Sequence, residues 1–191
     1  MNPPCLVRVC IRVSRDREAV ARELLAVRCI RGDRAALDEL VRTYEQRLLY
    51  FIRRLGADEA DAWDVLQKTW VRVLGGIGRL DDPCSLVPWL YRVARNAARS
   101  HARDRDPPHE PLRDHPAAVE PPRFDDAEAV HRGLLKLSRP HREVLTLFFL
   151  EDLTVEQAAA VLEVPAGTVK SRLHYAKLAL RQVLDAGGDY A

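Results

Sequence analysis

The chain has 191 residues, 47% hydrophobic and 30% charged, with a formal net charge of +2. That is enough apolar material for one large or two small soluble domains, and the small net charge says nothing by itself about nucleic acid. No apolar run approaches the roughly 20 residues of a membrane span, and the Arg-interrupted stretch from Met1 to Val13 is too short for a secretory signal. Cys5, Cys10, Cys29 and Cys84 are scattered with no CxxC pair. No zinc site, other metal or cofactor is therefore expected, and free thiols fit a reducing cytoplasm.

Residues 1–16 alternate Val, Ile and Cys with Arg, a pattern open to a short strand or a disordered arm, and carry no functional expectation. From Arg17 to Ile30 the spacing of Val20, Leu24 and Val27 has helical periodicity and predicts a helix. Gly32 stops it and Asp33 caps the next helix. There Leu37, Leu40, Val41, Tyr44, Leu48, Phe51, Ile52 and Leu55 form one stripe, ended by Gly56. Asp58 opens a third helix, expected to turn Trp63, Leu66, Trp70, Val73 and Leu74 inward and Asp61, Asp64, Gln67, Lys68 and Arg72 outward. After a glycine-containing loop, Ser85 is expected to cap a fourth helix with Pro88 in its first turn. Leu90, Val93 and Ala97 face the core, while Arg92, Arg95, Arg99 and Arg103 recur on another face beside Asn96, flanked by Trp89 and Tyr91. No acid occurs from Ser85 to Arg103. Basic groups interleaved with rings suit single-stranded nucleic acid.

Composition changes at residue 104. Up to Arg103 there are 19 Lys and Arg against 13 Asp and Glu; from Asp104 to Arg123 there are 3 against 5, with six prolines. The positive charge is thus local, and 104–123 reads as an extended linker between two domains. Helices follow from Asp125 to Leu137 and, capped by Ser138, from Pro140 to Leu150.

The last pair is the most informative. Thr154 and Gln157 have the spacing of a capping box. Val155, Ala158, Ala159 and Leu162 make one apolar face. Glu163 and Val164 break the pattern, and Pro165 stands where a helix begins. The second helix turns Val169, Leu173, Ala176 and Leu180 inward and carries Lys170, Ser171, Arg172, His174, Tyr175 and Lys177 on its other faces, with no acid from Ala166 to Arg181. A helix-turn-helix with a one-sided basic second helix suits a DNA major groove. The fold class is all-α in two helical domains: an extension at 1–16, a first domain at 17–103, a linker at 104–123, a helix-turn-helix domain at 124–185 and a tail at 186–191.

The stretch from Leu137-Ser-Arg-Pro through Leu153-Thr and Gln157-Ala-Ala to Val164-Pro-Ala-Gly-Thr-Val-Lys-Ser-Arg-Leu-His resembles the promoter-reading domain of bacterial sigma-70-like factors, closest to the small extracytoplasmic-function group. Gly32-Asp33, Asp64-Val-Leu-Gln-Lys-Thr-Trp-Val-Arg-Val and Pro88-Trp-Leu-Tyr-Arg-Val-Ala-Arg-Asn resemble that group's first domain in the same order. The resemblance covers roughly Leu24 to Leu184 and implies a promoter-specificity subunit of RNA polymerase, not itself an enzyme. It implies that Asp64 and Gln67 grip the clamp helices of the largest polymerase subunit, with Lys68 standing where relatives usually have Glu. It implies that the loop 78–87 and the fourth helix recognise and melt the minus-ten element through Arg92, Arg95, Asn96 and Arg99, with Trp89 holding the helix. The linker would thread towards the RNA exit path. The last helix would read the minus-thirty-five element, with Lys170, Ser171 and His174 at base edges and Thr168, Arg172 and Lys177 on phosphates. Tyr175, where many relatives have Arg, would lose a bidentate guanine contact. A separate anti-sigma protein is an expected partner.

Two other classes compete. A free-standing helix-turn-helix regulator would bind duplex DNA without polymerase. A nuclease would need metal ligands such as Asp61, Asp64 and His101, but no triad, phosphate loop or HExxH accompanies them.

Overall fold

The computed structural model describes residues 6–57, 59–105 and 133–187, and among these every regular element is helical. Helix α1 (Leu6–Ile30) begins at Leu6 rather than Arg17. Neither Gly nor Pro interrupts the chain between Pro4 and Gly32, so nothing stops the helix earlier. The backbone of 6–16 thus belongs to α1, not to a strand or loose arm. The buried face of α1 is Leu25, Ala26 and Cys29; Val20 and Leu24 are 64% and 59% exposed. Small Ala26 and Cys29 let α1 approach α2, and the stripe of larger residues is turned away.

Helix α2 (Arg34–Arg54) follows its sequence pattern. Gly32 takes a positive φ of 80°, the left-handed conformation that glycine enters without strain. Asp33 then caps α2, its Oδ1 accepting from the Ala36 N–H at 3.2 Å while Oδ2 accepts from Arg28 Nε at 2.9 Å. Leu40, Tyr44, Leu48, Phe51 and Ile52 are buried at the centre of the domain, each worth about 1.5–3 kcal/mol of transfer free energy.

Helix α3 (Glu59–Gly76) is turned from its expected register. Its inner face is Ala62, Val65, Leu66, Thr69, Trp70 and Val73, whereas Trp63 and Leu74 are 41% and 50% exposed. The helix carries apolar residues on several faces, so periodicity does not single one out. Short 3₁₀ turns at Ile77–Arg79 and Pro83–Ser85 lead into α4 (Leu86–Arg105). Ser85 does not cap α4. Asp82 caps the preceding turn through the Cys84 N–H at 3.0 Å, and the Ser85 hydroxyl donates back to the Asp82 carbonyl at 2.6 Å.

The second domain comprises a helical piece at 133–135, α5 (Arg139–Leu145), a π-helical turn (Thr146–Leu150), α6 (Val155–Leu162) and α7 (Ala166–Gly187). Ser138 sits at the start of α5 but forms no side-chain cap; its carbonyl accepts from the Arg142 N–H at 3.0 Å. The capping box of α6 is complete, with Gln157 N–H donating to Thr154 Oγ1 at 3.2 Å and Thr154 N–H to Gln157 Oε1 at 2.9 Å. Leu134, Val144, Leu147, Ala158, Val161, Leu162, Val169, Leu173 and Ala176 fill the core between these helices. Most of the proposed linker, the start of the helix expected from Asp125 and the end of the chain lie outside the described residues.

Candidate nucleic-acid interface

Helix α7 starts just after Pro165, and burying Val169, Leu173 and Ala176 against α5 and α6 turns the opposite face to solvent. Lys170, Ser171, His174, Tyr175 and Lys177 are exposed there, with Thr168 and Arg172 half-buried at the edge. The Ser171 hydroxyl donates to the Thr168 carbonyl at 3.0 Å, which fixes its direction and leaves its lone pairs outward. His174 and Tyr175 stack edge to face at 5.4 Å and 75°. Tyr175 is 61% exposed, so an apolar ring and its hydroxyl stand beside two cations on a surface without acids. All seven residues expected on the minus-thirty-five helix are thus brought to one helix and its flanks.

Helix α4 places Arg92, Asn96 and Arg99 in solvent. Trp89 lies half-buried against the end of α3, where a Cβ on Gly76 would meet its Cζ2 at 3.2 Å. The missing side chain at Gly76 is what lets the ring wedge α4 against α3. Arg95 differs from its neighbours. It is only 7% exposed, although sequence spacing puts it on the basic face. The second domain covers it: Arg95 Nε donates to Glu143 Oε2 at 3.2 Å, and Nη1 lies 3.9 Å from Glu163 Oε2.

Beside that pair is a second cross-domain cluster. The Tyr91 hydroxyl, fully buried, donates to Glu151 Oε2, and Arg47 Nε donates to the same oxygen at 3.0 Å. Burial pushes the Glu151 carboxyl above its ordinary range, against the pull of those two donors. Burial, with the Glu151 charge beside it, likewise raises the Tyr91 phenol. Glu143, Glu151, Glu163 and Arg47 did not enter the sequence-derived site. The only signal available was a pair of carboxylates, Glu143 and Glu151, bounding an otherwise apolar run.

On α3, Gln67 and Lys68 are exposed and Asp64 half-buried. Lys68 Nζ bonds Asp64 Oδ2 at 2.7 Å, and this hydrogen bond holds the Asp64 carboxyl below its usual range. Exposed Trp63, Val71 and Leu74 share this side of the helix. His101, near the far end of α4, sets Nδ1 3.4 Å from Asp64 Oδ2 and Nε2 3.3 Å from Asp61 Oδ1. The imidazole lies between two α3 carboxylates with a different nitrogen towards each, and Nε2 forms no hydrogen bond. Among the described residues no group of three or more His, Cys, Asp or Glu is placed to hold a metal.

Two basic helices in separate domains, joined by a third surface on α3, match known proteins in order. Residues 40–107 match the model of Sigma-70 region 2, and residues 127–180 match Sigma-70 region 4. The RNA polymerase sigma-H factor of Pseudomonas aeruginosa is 34% identical, over 84% of this chain and 92% of that one. The chain belongs to the sigma-70 family, in its extracytoplasmic-function group. The ECF RNA polymerase sigma factor SigM of Mycobacterium tuberculosis is 31% identical, over 85% of this chain and 83% of its own. The solved structure of CnrH in complex with the cytosolic domain of CnrY superposes with a TM-score of 0.65 at 27% identity, covering 87% of this chain and 98% of that chain. RpoE of Bartonella quintana, solved with the anti-sigma factor NepR, shares the fold at a TM-score of 0.64 and 24% identity, over 78% of this chain and 96% of that one. This sigma factor is a transcription initiation factor that directs RNA polymerase to promoters. Its first domain is region 2 and its second region 4, and no helix among the described residues is long and apolar enough to cross a membrane.

Proposed function

We propose that the sigma factor divides promoter recognition between α7 and α4. In this reading α7 enters the major groove of the minus-thirty-five element, with Lys170, Ser171 and His174 at base edges, Tyr175 against a thymine methyl, and Thr168, Arg172 and Lys177 on phosphates. Helix α4 traps the melted minus-ten strand: Arg92, Arg95 and Arg99 hold its backbone, Asn96 meets a base, and Trp89 braces the helix. Helix α3 docks on the clamp helices of the largest polymerase subunit through Asp64, Gln67 and Lys68. Exposed Trp63, Val71 and Leu74 supply the apolar contact that a protein interface needs. His101, within 3.4 Å of an oxygen of each α3 aspartate, sits where α3 meets α4.

The observation that carries this reading is the pair of acid-free basic helix faces, one in each domain. The chain supplies binding energy, and catalysis belongs to the polymerase. The protein acts in the cytoplasm, and a separate anti-sigma protein is a partner, in keeping with CnrH having been solved bound to the cytosolic domain of CnrY. Permanganate footprinting of holoenzyme tests the melting helix. Arg95→Ala with Arg99→Ala should abolish strand opening while leaving core binding intact; opening that survives the double substitution would refute the assignment of α4.

A further inference from the structure

The outer surface of α7 is cationic but not uniformly polar. The helix carries no acid from Ala166 to Arg181, yet Tyr175 and Leu178 stand 61% and 48% exposed on it, beside Lys170, Ser171, His174 and Lys177. A cationic surface without acids fits a polyanion. Exposed apolar groups on such a surface gain only where the polyanion itself offers something apolar. In the major groove duplex DNA offers one such group, the C5-methyl of thymine. Tyr175 is also held in place. The His174 ring meets it edge to face, with centroids 5.4 Å apart and planes at 75°. A ring that is already braced loses little freedom on binding. A phenol cannot make the bidentate guanine contact of an arginine, so what Tyr175 brings to a base pair is chiefly its ring.

We propose that Tyr175, braced by His174, reads the pyrimidine C5-methyl group, so that α7 distinguishes thymine from uracil and takes 5-methylcytosine in thymine's place. Cytosine and thymine differ on the major-groove edge at C4, by an amino group or an oxygen, and at C5, by the methyl. Methylation of cytosine supplies the methyl alone, which is the feature the ring meets. A promoter with 5-methylcytosine opposite Tyr175 is then bound more tightly than its unmethylated form, and transcription by this sigma factor responds to cytosine methylation. Tyr175 makes the contact, and His174 is a positioning residue acting through it. The inference rests on α7 being the minus-thirty-five helix, and its test separates the two.

The test uses holoenzyme assembled from the full chain and bacterial core polymerase. Fluorescence anisotropy measures its affinity for synthetic fragments of a promoter it transcribes. In one set each minus-thirty-five thymine, on either strand, is replaced by uracil; in a second it is replaced by cytosine or by 5-methylcytosine, with guanine opposite. Burial of one methyl group changes affinity about fourfold. At one position uracil should therefore weaken binding about fourfold, and 5-methylcytosine should bind about fourfold more tightly than cytosine. Tyr175→Ala should abolish both differences. His174→Ala should reduce them, and His174→Phe, which keeps a ring, should restore them. Both side chains are exposed, so the fold survives these changes. Affinity unchanged by uracil at every position would overturn the proposal. A methyl effect undiminished in Tyr175→Ala would overturn it too, because another group would then be reading the methyl. Full methyl sensitivity in His174→Ala would overturn the brace. If Lys170→Ala and Arg172→Ala holoenzymes bind every fragment as tightly as the unaltered one, the assignment of α7 beneath the proposal falls instead, whatever the methyl groups do.

Discussion

Replacing Tyr91 by Phe isolates one hydrogen bond between the domains. The ring is fully buried and stands edge to face with Phe51 at 5.2 Å and 79°. Tyr91→Phe keeps that contact and opens no cavity. What disappears is the hydroxyl that donates to Glu151 Oε2. Glu151 is left with Arg47, whose side chain is 44% exposed, and a pair that open to water contributes at most about 1 kcal/mol. A buried hydrogen bond to a charged acceptor contributes about 1.5–3 kcal/mol, so the substitution should cost an amount in that range. Trp63, Trp70 and Trp89 all lie in region 2, and their fluorescence follows that domain through a urea titration. In a Glu151→Gln background the cost of Tyr91→Phe should shrink by at least about 1 kcal/mol, because the partner charge is gone. Costs that add to within about 0.5 kcal/mol across the double-mutant cycle would show that the two groups do not interact, and the reasoning would fail.

In region 4, Lys170→Ala should weaken duplex binding by about 1–3 kcal/mol and relax preference at one base pair, whereas Lys177→Ala should weaken all sequences alike and lower the salt slope by about one; anisotropy over a salt series separates the two. Thr154→Ala removes half of the capping box and should lower the thermal stability of region 4 by about 1 kcal/mol, read by circular dichroism. Burial raises the Glu151 carboxyl from 4.5, so its contribution is fully present below that value and is lost as pH rises through the higher folded value. The contact between the two domains should therefore loosen as pH rises through that window in scattering, and Glu151→Gln should flatten the dependence.

The parts of this fold legible in the sequence are those set by neighbours along the chain. Gly32 and Asp33 announce the start of α2, and Thr154 with Gln157 announces α6, because caps act over three residues. The apolar stripe of α2 is legible because its other side is charged. Helix α3 is harder: Trp63 and Leu74 are large and apolar yet exposed, while Ala62 and Thr69 are small or polar yet buried. Size is a poor guide where a helix has apolar residues all round. Arg95 marks the deeper limit. Its spacing puts it with Arg92 and Arg99, but its partner Glu143 is 48 residues away and Glu151 is 60 from Tyr91. No local pattern encodes a pairing of that range, so the basic faces of α4 and α7 were legible and the contacts that cover Arg95 were not.

Run-off transcription with purified bacterial core polymerase, with and without the protein, on a library of promoter fragments tests the sigma assignment most directly. The predicted result is a set of transcripts that appear only with the protein and share two upstream elements, one read by α7 and one melted at α4. An identical transcript pattern with and without the protein, while the protein alone grips duplex DNA tightly, would contradict it and favour a regulator that works without polymerase.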